Sequence, residues 1–472
     1  MKKTKIIATI GPASEKKEVL RELILNGMNM VRINMAHASQ QFLMDIVKKI
    51  DALNKELHRS VAVMVDIQGP EVSLGKLING KATLNTGDKI RIYTNNKIIG
   101  DHTKFSVSYS KLVDEVKTNT ILKTSDGLVE LKVLDKGKDY LLCEVITGGT
   151  IYENRTVNVI GTKLNIPFLS EKDQSDIELA SKLHVDYLAL SFVQTSEDVL
   201  KVNDMLINLQ DSHISLIAKV ESKEAIEDLD EIIKVSDGIM VARGDLGVEL
   251  PFERIPGIQK MVINKCHHMS KISIVATEMM SSMEHNERPT RAEVSDVATA
   301  VSEAVDAVML SGETTIGKYP IETLSMMSKI VETAEEDTNY YHLLDNAMRT
   351  EKQDTTGSIA YSVVDCSNRL RCSAIVTPTM SGYTAKKISR FRPKYPIIAL
   401  TPNKEVASSL EIYYGIYPVT INALKTFDDM MEKAREVSKD LFDLDSGDKI
   451  IVTGGYPFKE IKHTNFMKVE EI

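Results

Sequence analysis

Lys219 and Glu221 stand two residues apart in the apolar run SLIAKVES (215–222). In a strand that spacing turns both side chains to one face. Asp245 follows the next apolar run, so a neighbouring strand end can bring its carboxylate beside Glu221. Two carboxylates with room for water and substrate oxygens describe a magnesium site, because that ion rarely accepts a cage made only of protein. Lys219 beside them reads either as half of a buried ion pair or as a cation aimed at a phosphoryl group in transfer. The segment Ala242-Arg243-Gly244-Asp245-Leu246-Gly247 is a tight turn into a short helix, and its free backbone N–H groups suit a small carboxylate. A glycine turn alone says little; joined to Lys219, Glu221 and Thr277 it says more.

These residues need a scaffold that gathers strand ends. Eight short apolar runs provide one: 5–11 (KIIATIG), 28–35, 60–67, 185–192, 215–222, 237–244, 272–277 and 307–312. Aliphatic and β-branched residues dominate each, as in strands buried on both faces, and helix-like segments such as QQFLMDIVKKIDALNKEL separate most of them. The pattern predicts a (β/α)8 TIM barrel, whose active site lies at the C-terminal ends of its strands. Arg32 and Asn34, Asp66, Ser191, Lys219 and Glu221, Asp245, Thr277, and Ser311 with Glu313 fall at those ends.

The barrel rhythm breaks after the third run. Between Gln68 and Lys163 short alternating segments are separated by turns such as Asn79-Gly80 and Ser125-Asp126-Gly127. That reads as a small antiparallel β domain inserted over the barrel mouth, suited to a lid that excludes water. Helix resumes at Ser170, an N-cap candidate with Asp173 completing a capping box. Beyond a polar stretch (348–356), strands and helices alternate as in a doubly wound α/β domain. The expected division is therefore a barrel of 1–67 and 164–347, an insert of 68–163, and a C-terminal α/β domain of 348–472.

Composition narrows the function. A net charge of −9 and no long basic stripe argue against a nucleic-acid partner. No apolar run is long enough to span a bilayer, and no hydrophobic segment follows Met-Lys-Lys as a signal peptide requires. A soluble, cytoplasmic chain without a membrane partner is expected. Four cysteines match no zinc or redox spacing and read as unreactive thiols.

Six segments in order, TKIIATIGPAS (4–14), NMVRINMAH (29–37), VDIQGPE (65–71), IAKVES (217–222), MVARGDLGVELP (240–251) and RPTRAEVSDVATAV…VMLSGET (288–314), make the chain resemble the pyruvate kinase family over essentially its whole length. The resemblance implies a phosphotransferase that moves the phosphoryl group of phosphoenolpyruvate to ADP and then protonates enolpyruvate. It implies that Glu221 and Asp245 hold Mg2+ (or Mn2+), that Lys219 stabilises the phosphoryl group, and that Arg32 contacts the same phosphate. The amides of Gly244 and Asp245, with the Thr277 hydroxyl, would bind the substrate carboxylate, and Ser311 would belong to the proton route. Asn34, Asp66 and the Ile67 carbonyl would coordinate K+, with Glu71 matching potassium-dependent members. Asn34, His37 and Arg155 would face the nucleotide, and the family implies a homotetramer.

Several positions depart from the family pattern. Ala36 replaces a serine potassium ligand; Gln68 and Ser73 replace a lysine and an arginine; Gln194 stands where a basic residue is common; and Glu278 replaces a glutamine. The changes remove positive charge from the nucleotide side and spare the phosphoenolpyruvate side. An active enzyme with altered nucleotide handling is the favoured reading. The alternative, a degenerate paralogue that binds phosphoenolpyruvate or an effector and regulates without turnover, has little need for all of Lys219, Glu221, Asp245, Thr277 and Ser311. In the C-terminal part, Thr377, Thr379, Ser381, Gly382 and Thr384 precede a helix and suit either an ordinary cap or a phosphate cradle. The resemblance makes this loop the pocket of a phosphorylated effector. The opposing loop after Gly455 carries no glycine through His463, so either a small monophosphate effector or a weak or absent response to fructose bisphosphate is expected.

Overall fold

The computed structural model describes residues 2–95, 98–211, 213–350, 354–442, 444–456 and 464–472. Each of the eight apolar runs forms a strand: Lys5–Thr9, Met30–Asn34, Ala62–Ile67, Tyr187–Leu190, Ser215–Val220, Gly238–Ala242, Ile272–Ala276 and Ala307–Leu310. They pair in parallel with their chain neighbours and close, the first on the eighth. Alternation assigns each strand residue to one of two buried faces. Ile6, Val31, Val65, Leu188, Ala218 and Val241 pack outward against the helices, whereas Ile7, Met30, Met64, Ala189, Ile217 and Met240 fill the barrel. Extending the inward row by two residues toward the strand ends reaches Thr9, Arg32, Asp66, Ser191 and Lys219. The barrel thus turns polar at one end because its inward positions turn polar there.

The insertion forms a six-stranded sheet and a separate two-stranded pair, with its own apolar core around Val72, Ile92, Phe105 and Val133. Its ladders are antiparallel except between Lys89–Tyr93 and Lys104–Ser106, which run parallel, and the isolated Leu77–Gly100 bridge is parallel too. The Ser170–Asp173 capping box is present. Asp173 also accepts hydrogen bonds from the amides of Gln68 (3.0 Å) and Gly69 (3.2 Å), tying the start of the insertion to the helix that follows it.

The C-terminal sheet runs Ile416–Thr420, Ile397–Thr401, Ala374–Pro378, Lys449–Gly454 in parallel, and ends on an antiparallel edge strand, Phe466–Glu471. That last strand was not expected from the sequence: half charged and mostly exposed, it lacks the apolar alternation that marks a half-buried strand. This sheet's apolar core runs into the barrel interior without a break. At the barrel floor, Lys5 donates to the Ile416 carbonyl, the Tyr187 hydroxyl donates to the Ser409 carbonyl, and Arg392 makes a two-pronged ion pair with Asp306 (2.7 Å on each prong). The cysteines are free thiols, and burial pushes Cys372 up to about 11. No helix is long and apolar enough to cross a membrane among the described residues.

Candidate active site

Lys219 occupies the centre of the polar end. Its Nζ lies 2.9 Å from Glu221 Oε1 and 3.4 Å from Asp66 Oδ2, and donates to Ser191 Oγ at 2.8 Å. Burial works to strip its proton, but the carboxylates of Asp66 and Glu221 outweigh burial and hold its pKa above the usual lysine value. Asp66 is fully buried, which alone would raise its pKa; the charges of Lys219 and Arg32 hold it low instead. Arg32 Nε donates to Asp66 Oδ2 at 2.7 Å and its Nη1 to Thr9 Oγ1 at 3.0 Å. Ser191 bridges the two charges, accepting from Lys219 and donating to Asp66 Oδ1 at 2.9 Å. Five strand ends are thereby laced into one network of fixed charge.

Glu221 lies just past its strand, held by the Phe192 amide on Oε2 at 2.7 Å. Asp245 stands beside it in the first turn of a short helix, Arg243–Glu249. Burial and then the Glu221 charge push the Asp245 pKa up to about 7, against the pull of Lys219. Asp126, on the insertion, adds to the push; beside it Gly127 faces Val248, and Lys123 donates to the Val248 carbonyl at 3.1 Å, which sets this turn against the helix that carries Asp245. Two hard oxygen donors side by side are a donor set fitted to a divalent cation.

The Gly244 amide donates to Thr277 Oγ1 at 2.8 Å, and the hydroxyl in turn donates to the Ala276 carbonyl at 2.6 Å. The Ser311 hydroxyl is buried without a hydrogen-bond partner among the described residues. Its amide donates to Glu313 Oε2 at 2.7 Å, while Glu313 Oε1 accepts from Met280. Burial holds Glu313 above the usual carboxylate range.

Asn34 and Asp66 are register partners on adjacent strands, so Asn34, Asp66 and the Ile67 carbonyl share one stretch of the rim. Asn34 Oδ1 accepts from the Ala36 amide at 3.0 Å. His37 and Arg155 are exposed, and no hydrogen bond joins either side chain to the Lys219 network among the described residues. Of the altered positions, Gln68 and Gln194 are half-buried, Ser73 pairs with Thr156, and Glu278 is exposed beside Thr277. In the C-terminal loop, Thr379 Oγ1 accepts from Gly382, whose φ of 78° favours glycine, and Ser381 is exposed. Thr377 and Thr384 are buried, the latter bonded to Thr464 at 2.9 Å. The opposing loop, 457–463, lies outside the described residues.

Sequence reasoning passed over three groups. Thr9 is found by carrying the inward row of the first strand one step further. Arg243 was visible only as part of a glycine turn, yet its guanidinium reaches Asp296, Gln259 and the carbonyls of Thr277 and Glu278. Lys172, in a helix read only for its cap, donates to the Met35 carbonyl at 2.5 Å and so brings a cation to the rim near His37.

A family model for the pyruvate kinase barrel domain matches residues 1–324, and one for the pyruvate kinase alpha/beta domain matches residues 357–470. The chain is 40% identical to the pyruvate kinase of Clostridium perfringens over the full length of both, and 38% identical to that of Geobacillus stearothermophilus, covering all of this chain and 80% of the relative. A crystal structure of a pyruvate kinase from Cryptosporidium parvum superposes with a TM-score of 0.91 at 35% identity, covering 100% of this chain and 96% of the other. On fold, sequence and the gathering of Lys219, Glu221 and Asp245 at one barrel mouth, the chain belongs to the pyruvate kinase family.

Proposed function

We propose that this chain works as a pyruvate kinase, moving the phosphoryl group of phosphoenolpyruvate to ADP and releasing pyruvate after protonation of enolpyruvate. The observation that carries the reading is the Lys219 ammonium, kept charged between Asp66 and Glu221 at a mouth where the neighbouring acids are paired. Phosphoryl transfer asks the protein mainly for positioning and charge stabilisation. Lys219 and Arg32 supply two fixed cations for the oxygens of the moving group, and Ser191 and Asp66 hold both in place. Because these groups are already oriented, little reorganisation is needed as charge develops.

Glu221 and Asp245 are the residues that would hold Mg2+ or Mn2+, and the ion when bound neutralises phosphate and carboxylate charge. Asn34, Asp66 and the Ile67 carbonyl would hold K+, with Ala36 bringing no oxygen to that shell. The Gly244 and Asp245 amides and the Thr277 hydroxyl receive the substrate carboxylate. Ser311, with its unpartnered hydroxyl, serves the proton route. Asn34, His37 and Arg155 meet the nucleotide, joined by Lys172 on the rim. The insertion 68–163 is a lid over the mouth, and the C-terminal part 348–472 serves assembly as a homotetramer and binding of a phosphorylated effector at Thr377–Thr384.

Pyruvate formation from phosphoenolpyruvate and ADP, followed with Mg2+ and K+ present, tests the reading. Binding of phosphoenolpyruvate without pyruvate formation would instead identify a regulator.

A further inference from the structure

Thr277 and Glu278 carry φ values of 66° and 53° in succession. Left-handed backbone is costly for any residue with a β-carbon, and a β-branched threonine there is a true outlier. Strain of this kind persists only where the surroundings impose it. One side chain does so. Arg243 Nη2 donates to the Thr277 carbonyl at 2.8 Å and to the Glu278 carbonyl at 3.1 Å, while Nε reaches the Thr277 carbonyl at 3.3 Å.

The guanidinium is itself fixed from behind. Nη1 and Nη2 each lie 2.7 Å from a carboxylate oxygen of Asp296, and Nη1 is 3.4 Å from Gln259 Oε1. Gln259 in turn donates to Glu303 at 2.9 Å. Arg243 is buried, with Asp296 and Glu278 at the water edge of the clamp. In front of it, the left-handed turn directs Thr277 Oγ1 to the Gly244 amide, one residue from Asp245.

We infer that Arg243 is a positioning residue for the reaction: it holds Thr277–Glu278 in left-handed backbone and so sets the Thr277 hydroxyl against the Gly244–Asp245 turn. The inference rests on the functional reading above. Arg243 touches no reacting atom in this scheme. The guanidinium spreads five donors over three nitrogens and so reaches two carbonyls and both oxygens of a carboxylate at once, whereas lysine brings three donors on a single nitrogen and is not an equivalent.

The test is Arg243→Lys, which keeps the charge, assayed for kcat and for KM of each substrate alongside thermal melting. A misplacement of about 1 Å costs on the order of a hundredfold in rate. The clamp therefore predicts kcat down by about ten- to a hundredfold, KM for ADP within about twofold, and a melting curve close to wild type. A purely structural ion pair predicts the reverse, a lowered melting temperature with kcat of the folded enzyme intact, and that result overturns the inference. Asp296→Asn, which loosens the guanidinium without touching the loop, guards against misfolding of the first variant; it should lower kcat in the same direction, and no effect on kcat counts against the clamp. The double variant should be no worse than Arg243→Lys alone, because both changes act through one contact; additive losses argue against it. If the wild-type chain forms no pyruvate, the functional reading fails by itself. The clamp is then judged by calorimetric binding of phosphoenolpyruvate with Mg2+: unchanged affinity in Arg243→Lys overturns it, and a tenfold loss supports it.

Discussion

Replacing Lys219 by methionine removes the charge while keeping a side chain of similar length in a buried position. At the separations seen here, 2.9 and 3.4 Å, the raw attraction of the ammonium to one full negative charge is about 5 kcal/mol at an effective dielectric constant of about 20. Most of that acts equally on bound substrate and transition state, because the phosphate is charged before it moves. Only the increment that develops during transfer raises the rate. Removal of one preorganised electrostatic partner typically costs about 3–4 kcal/mol, so kcat should fall by about 10²–10³. Folding should survive, since Arg32 continues to neutralise Asp66. Binding of phosphoenolpyruvate with Mg2+ should survive as well, because Glu221 and Asp245 are untouched. Steady-state pyruvate formation at saturating metal gives kcat, and calorimetry gives substrate affinity. A kcat within tenfold of wild type would refute the assignment of Lys219 to the moving phosphoryl group. An unchanged kcat with a raised KM would transfer its role to ground-state binding.

Ala36→Ser should lower the half-saturating concentration of K+, since it restores an oxygen beside Asn34 and Asp66; equal titrations with Na+ absent would remove Ala36 from the cation shell. Asp306→Asn leaves the buried Arg392 guanidinium without its carboxylate and should cost about 3–5 kcal/mol in thermal or denaturant unfolding, where a loss under about 1 kcal/mol would contradict the burial argument. The same pair sets a pH dependence. Burial would raise the Asp306 pKa, but Arg392 outweighs it and holds the folded value below the ordinary one. Its contribution is therefore complete above the unfolded pKa of about 4 and is lost as pH falls through the depressed folded value, so wild type should lose stability there more steeply than Asp306→Asn.

The barrel was legible because its signal is local and repeated: each strand is a short, mostly apolar run with a polar residue in or just past its last positions, and the period of two marks which polar residues point inward. Lys219 and Glu221 could be paired on that basis alone. The short sheet edges carried no such signal. Phe466–Glu471 pairs through backbone hydrogen bonds while most of its side chains meet water, and nothing in the residues of Lys89–Tyr93 and Lys104–Ser106 tells a parallel pair from an antiparallel one. Arg243 was illegible for another reason. Its partners Gln259, Thr277 and Asp296 come from two helices and another strand end, and the left-handed backbone it supports falls on a threonine and a glutamate, types that do not announce such a conformation as glycine does.

The buried contacts at the barrel floor have a mechanical consequence. Lys5, Tyr187 and Asp306 are each fastened to the C-terminal part, and each begins or immediately precedes a strand whose other end carries or leads directly to a mouth residue: Thr9, Ser191 and Ser311. A strand rises about 3.3 Å per residue, so roughly 13–17 Å of extended backbone joins floor to mouth along each. Extended backbone, hydrogen-bonded on both sides, neither stretches nor slides alone. At least three of the eight staves are thus pegged to the C-terminal part, the second strand being tied there too through Asn29 and Glu411 (2.7 Å), whereas the insertion hangs from the rim on a core of its own. A shift of the C-terminal part against the barrel must carry the feet of those strands with it or break buried ion pairs. The first course moves Ser191, and through it the seats of Lys219 and Asp66; the second unfastens the floor altogether.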